Sequence, residues 1–283
     1  MPVSLDAAKA VLDSAPTKTE ILVALDVLLT QHLLMPSGEG HYELHPIVAS
    51  YIQHGLEESD EQSSYQLLQG THIKAANHYL QRATETCPPK GQRENIRDVY
   101  FLVEAVWHLC QGQQWQKAYE LIRDENIFPD LKSWGENTTL LDLYQLLLPL
   151  NKWHPQEVQE ADIYGELGEI HTEMLTTDGS HADEALQYFK LSFTLYSKLE
   201  DHKGKCSILR YMGKLYLMQV RYNVALAFFL LVEKLLIETQ NAHEGEVQEY
   251  KEEICRLVGE KQYRALLLEV APQVEQIVEK MMN

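Results

Sequence analysis

Histidine, cysteine and carboxylate side chains are where chemistry would begin in this chain, and their spacing along it argues against a catalytic or metal centre. Twelve histidines and four cysteines are available. His72 and His78 lie six residues apart, on different faces of a helix, and His108 and Cys110 lie two apart, a spacing that does not converge on a helical surface. Spacing therefore assigns no metal. Cys87, Cys110, Cys206 and Cys255 form no Cys-x-x-Cys pair, which suits reduced thiols in a cytoplasmic protein. The chain contains neither a Gly-x-Ser-x-Gly elbow nor a local Cys/His signature for nucleophilic attack. The glycine-containing stretch Pro36-Ser37-Gly38-Glu39-Gly40 lacks the lysine and the strand–loop–helix setting of a phosphate-binding loop. Glu166, Glu169 and Glu173 share a helix, where they read as an acidic stripe and not as an acid–base pair. No enzymatic activity and no cofactor are expected.

The elements that would carry these residues are helices. In 283 residues there are only ten prolines and fourteen glycines, while 45% of residues are hydrophobic, a composition for long helices around a real core. The formal charge of −18 repels phosphate backbones and anionic lipid, so nucleic acid and membrane surfaces are poor partners. No apolar run approaches the ~20 residues of a membrane span, and Met1-Pro2-Val3-Ser4 lacks the features of a secretion signal.

Residues 1–57 differ from the rest. A short helix over Leu5 to Leu12, capped by Ser4, precedes a break at Ala15-Pro16. Thr17-x-x-Glu20 is a capping box opening a helix with Ile21, Leu22, Leu25, Leu28 and Leu29 at helical spacing. Leu33 to Met35, the glycine-containing turn and His41 to Leu44 read as a hairpin, and Pro46 suits the first turn of a helix carrying Ile47, Val48, Tyr51 and Ile52. Two helices, a wing-like hairpin and a third helix describe a winged-helix unit. Glu57 to Ser64 reads as a polar joint, followed by degenerate helical repeats over 58–158 and clear ones over 159–283. Breaks are expected at Thr86 to Arg93, Asn126 to Pro129, Asn151 to Pro155 and Thr176 to Ser180.

Self-comparison exposes the repeat. Leu209-x-x-Met212-Gly213-x-x-Tyr216 is followed by Ala225-x-x-x-Phe229, and Tyr164-x-x-Leu167-Gly168-x-x-His171 by Ala185-x-x-x-Phe189. Leu102-x-x-Ala105-Val106-x-x-Leu109 with Ala118-x-x-x-Ile122 is a weaker copy, and His243-Glu244-Gly245 echoes His202-Lys203-Gly204. The period is 40–41 residues. Gly168 and Gly213, opposed by Ala185 and Ala225, would let paired helices approach closely while Phe189, Tyr216 and Phe229 fill the space around them.

These hairpins resemble tetratricopeptide repeats of a longer kind than the usual ~34 residues. Ahead of them, Leu28-Leu29-x-x-x-Leu33-Leu34 leading into Tyr42-Glu43-Leu44-His45-Pro46-Ile47-Val48 resembles the winged-helix segment of STAND (NB-ARC-type) signalling NTPases. Trp107-His108-Leu109, Trp134-Gly135-Glu136-Asn137 and Leu146-Leu147-Leu148-Pro149-Leu150 resemble bacterial members with C-terminal repeat sensors. The resemblance implies a mainly α fold: a small winged-helix unit followed by an α-α superhelix of hairpins. It implies a protein-binding sensor or scaffold in signalling, without its nucleotide-binding domain, whose partner is a protein or peptide and whose switch involves an ATPase domain of the same or another chain. In that family a Met-His-Asp-like motif sets its histidine against the β-phosphate of ADP; the matching tripeptide here is Leu44-His45-Pro46, with Leu for Met and Pro for Asp, which makes His45 the nucleotide sensor. By analogy with other such arrays, Arg210, Lys214, Leu217 and Met218 face a peptide groove, joined by Glu169 and Glu173 from the preceding repeat and Lys251 from the following one. The alternative function is a transcription regulator using the winged helix on DNA. The helix from about Thr17 to His32 opposes that reading, with Lys18 as its one fixed positive charge against Glu20 and Asp26.

Overall fold

A computed structural model of the chain describes residues 3–4, 10, 17–31, 33–36, 41–45, 61–148, 153–175, 180–238 and 244–282. The protein is mainly helical and divides into two compact units, Met1–Leu147 and Leu148–Asn283. The division falls eleven residues before the 158/159 boundary expected from the repeat pattern.

In the first unit, Thr17 caps helix α1 (Lys18–Thr30) through the box expected from its sequence. The Thr17 hydroxyl oxygen accepts from the Glu20 amide at 3.3 Å, and the Glu20 carboxylate accepts from the Thr17 amide at 2.7 Å. A small antiparallel sheet in the order β1-β3-β2 surrounds it in sequence: β1 (Val3–Ser4), β2 (Leu34–Pro36) and β3 (His41–Leu44). Leu34 pairs with Leu44 and Pro36 with Tyr42, so the expected hairpin forms with proline on an edge strand, where its missing N–H breaks no ladder. Ser4, read as a helix cap, instead pairs in β1 with His41; a two-residue strand is too short for alternation to reveal it. Apart from Ala10, the helix expected over Leu5 to Leu12 lies outside the described residues, as does the helix expected after Pro46.

Helix α2 (Glu61–Thr86) begins inside the stretch expected to be a joint, taking in Glu61 to Ser64. Its Ala75, Ala76, Tyr79 and Ala83 are buried where it packs on α3 (Tyr100–Gln111), whose Leu102, Ala105, Val106 and Leu109 face inward. Helices α4 (Trp115–Asp124), α5 (Ile127–Ser133) and α6 (Asn137–Leu146) continue the stack. The break expected at Asn126 to Pro129 narrows to one residue, Asn126 at φ 54°, because Pro129 falls in the first turn of α5 where no amide partner is lost. Between α2 and α3 the Arg93 side chain, 3% exposed, ties the turn down. It donates to the Glu125 carboxylate at 2.7 Å, the Asp130 carboxylate at 3.1 Å and the Pro88 carbonyl at 3.1 Å.

In the second unit, α7 (Glu157–Glu173) folds against α8 (Ser180–Lys198), and α9 (His202–Met218) against α10 (Tyr222–Glu238). Helix α9 also packs on α8 and on α7, and α11 (Glu244–Val258) packs on α10 and α9, so hairpins stack first helix beside first helix. Helices α12 (Glu260–Val270) and α13 (Val274–Met282) close over α10. The turns after α3, α8 and α9 end alike. Gln113, Glu200 and Val220 take positive φ (56°, 56° and 62°), and the next amide reaches back to the carbonyl of Leu109, Tyr196 and Tyr216 respectively. That shared stop is a structural repeat which residue identity hides.

Candidate functional site

Helical spacing places Glu169 and Glu173 on one face of α7, and Arg210 and Lys214 on one face of α9. Two glycines hold the scaffold beneath them. A Cβ at Gly168 would stand 2.5 Å from Cδ1 and Cε1 of Phe189, and one at Gly213 would stand 2.6 Å from Cε1 of Phe229. Both phenylalanines are fully buried, and Ala185 and Ala225 beside them are at 0% exposure. Each aromatic then carries a tyrosine from the next first helix: Tyr211 stacks on Phe189 with centroids 6.0 Å apart, and Tyr250 stacks on Phe229 at 4.9 Å and 3°. Glycine, phenylalanine and tyrosine thus form a motif that runs from one hairpin to the next. Tyr216 is buried behind it against Phe228.

On this base the charged residues interlock. The Lys214 ammonium pairs with the Glu173 carboxylate, both side chains about a quarter exposed. Burial works against the charge on Lys214, but the bond to Glu173 and its negative charge outweigh burial and raise the lysine's pKa. Glu169 is buried and bonds to the Tyr211 hydroxyl, whose pKa is raised first by burial and then by that carboxylate. The Arg210 guanidinium lies 5.0 Å from the Tyr211 ring centroid, in cation–π range. A row of carboxylate, phenol and cation therefore spans α7 and α9, and Tyr250 on α11 is close enough to Lys214 to act on its charge.

The structure gathers Glu169, Glu173, Arg210 and Lys214, and places the other three residues expected at the groove differently from one another. Leu217 is 7% exposed within the core, next to Tyr216, so it packs and lines no ligand surface. Met218, one turn beyond Lys214 on the same face, is exposed at the end of α9. Lys251 bonds to Glu233 of α10 at 2.8 Å. His45 follows β3, half-buried, its amide donating to the Leu33 carbonyl at 3.0 Å.

Several contacts escaped the sequence reading. A Cβ at Gly204 would run into the Tyr196 ring, and one at Gly165 would meet Ile208 Cδ1 at 2.9 Å. Histidines also meet across helices: His72 Nδ1 lies 2.9 Å from His108 Nδ1, and His171 Nδ1 lies 3.0 Å from His181 Nδ1. Burial, then His72, pushes the His108 pKa down to about 4. Burial, then His181, lowers that of His171, against an opposing effect of Glu184. The expectation of no metal rested on spacing within single helices; pairing between helices lay outside it. One signal was present in the sequence: a tyrosine seven residues after a histidine, His72 to Tyr79 and His181 to Tyr188. All four cysteines are free thiols, and among the described residues no helix is long and apolar enough to cross a membrane. No family model, curated protein or solved structure matches the chain.

Proposed function

We propose that the chain is a protein-interaction module, the sensor or scaffold part of a STAND-type signalling protein, whose tetratricopeptide-like hairpins bind a protein or peptide along the α7–α9 row. The observation that carries this reading is the Glu173–Lys214 pair beside Arg210 and Tyr211. It is a partly solvated set of paired charges, held on a rigid glycine–aromatic base and repeated in part on α11 through Tyr250. A ligand carboxylate would compete with Glu173 for Lys214, with Arg210 as its second contact. Stacked repeats recognise extended segments in this way, by a continuous face and not by a deep pocket. In this reading residues 1–57 form the winged-helix arm and His45 reads ADP held by an ATPase domain of the same or another chain.

The test is fluorescence anisotropy of the full chain with labelled peptides ending in an acidic segment, against the same peptides amidated and neutral. Arg210→Ala and Lys214→Ala are each expected to weaken acidic-peptide binding about tenfold, the loss of one charged hydrogen bond. Equal binding of both peptide forms, or no effect of either substitution, overturns the groove assignment. The arm is tested separately by mixing the chain with a STAND-type nucleotide-binding fragment and ADP; an unchanged association on His45→Ala removes the sensor role. The DNA-binding alternative is disfavoured by the charge of α1, and salt-dependent binding of duplex DNA at low micromolar concentration would reinstate it.

A further inference from the structure

Two histidine pairs in this protein are near copies of one another. In both, two rings meet Nδ1 to Nδ1 across packed helices, at 2.9 Å for His72–His108 and 3.0 Å for His171–His181. Both have ring centroids 5.1–5.2 Å apart at an interplanar angle of 42°. In both, a tyrosine seven residues after one histidine stacks on the other, Tyr79 on His108 and Tyr188 on His171. Their surroundings differ at one decisive place. One turn after His72 stands Ala75, buried, and Trp107 covers the His72 ring edge-on at 5.5 Å. One turn after His181 stands Glu184, exposed and on the same helical face. Among the described residues, His171, His181 and Glu184 bring one ligand atom each within 4.8 Å of one another.

We propose that His171, His181 and Glu184 bind a divalent transition metal ion of the zinc type, while the His72–His108 pair is a packing hydrogen bond. The chemistry of the donors selects the ion: two imidazole nitrogens and one carboxylate suit zinc, cobalt or nickel and exclude the all-oxygen sites of calcium and magnesium. Tetrahedral zinc with bonds of about 2.0–2.1 Å sets neighbouring nitrogens about 3.3 Å apart, which the 3.0 Å separation already approaches. Glu184 completes the third position by a side-chain rotation that its exposure leaves free. His171 is buried and oriented by Tyr188, so its ligating edge is fixed before the metal arrives. The fourth position belongs to water or to a ligand from a partner. The ion would link the last turn of α7 to the start of α8.

The probes are zinc and cobalt chloride alone, added to the chelator-treated full chain. Zinc is followed by competition with a chromogenic chelator, and cobalt by its visible d–d absorption. One ion per chain is expected, bound at micromolar or lower dissociation constant. His181→Ala should weaken zinc at least a hundredfold and Glu184→Gln about tenfold, with His72→Ala unchanged. Glu184 is exposed, so its variant folds whatever the fate of the histidine variants. Cobalt absorption of tetrahedral intensity that disappears in His181→Ala supports the site. An absence of stoichiometric binding, affinity unaltered by both His181→Ala and Glu184→Gln, or loss on His72→Ala alone overturns it.

Discussion

Replacing Gly168 by alanine tests the glycine–aromatic base on which the row of charges stands. The added methyl would lie 2.5 Å from two carbons of the Phe189 ring and 3.0 Å from a third, against an optimum near 3.5–4.0 Å. Phe189 is at 0% exposure, so the ring has no solvent to swing into. Overpacking of this kind costs about 1–3 kcal/mol, while alanine in place of glycine in a helix interior gains about 1 kcal/mol, leaving a net loss of about 0–2 kcal/mol. Gly70, in α2, is the internal control. Nothing lies within 4 Å of a Cβ there, so Gly70→Ala should stabilise by about 1 kcal/mol. Urea titration read by hydrogen exchange and mass spectrometry follows peptides of each unit separately and gives both signs in one assay. Phe189→Leu in the Gly168→Ala background should recover part of the loss, a coupling that two independent sites would not show. If Gly168→Ala stabilises as Gly70→Ala does, the close approach at Phe189 is not what holds α7 to α8.

Four further outcomes follow from the same geometry. Gly213→Ala should repeat the loss at α9–α10, where the methyl would meet Phe229 at 2.6 Å. Arg93→Met should destabilise the first unit by about 3 kcal/mol in urea unfolding, since it strips the buried guanidinium from Glu125 and Asp130. Lowering the pH from 7 to 5 should cost the first unit about 2 kcal/mol: His108 stays neutral down to about pH 4 in the folded chain but takes up a proton near pH 6.5 when unfolded, so stability is present above that value and lost as pH falls through the interval. His108→Gln should flatten the dependence, measured as the slope of unfolding free energy against pH. Val220→Gly should raise the stability of the second unit by about 1 kcal/mol, because a β-branched residue at φ 62° is held against its preference.

Helical content and the hairpin repeat were legible in the residues because each rests on local rules. The Thr17–Glu20 box formed as spaced. Leu102, Ala105 and Leu109 entered the core as their 3.6-residue period requires. Gly168 with Ala185 and Gly213 with Ala225 sit in packed helices because only small residues allow that approach. The candidate row was legible in part. Spacing within a helix placed Glu169 beside Glu173 and Arg210 beside Lys214, but it could not say that Leu217 turns inward or that Lys251 turns to Glu233.

The amino-acid order alone therefore settled that the chain is mainly helical and that Gly168 and Gly213 permit helices to touch, since helical period and small-residue spacing are read from nearby positions. The tertiary structure alone decided which side chains meet across helices. It joined Lys214 to Glu173, 41 residues away, stacked Tyr250 on Phe229, and set His171 against His181 with Glu184 beside them. Those contacts depend on the rotation and depth of one helix against another, which a one-dimensional period does not encode.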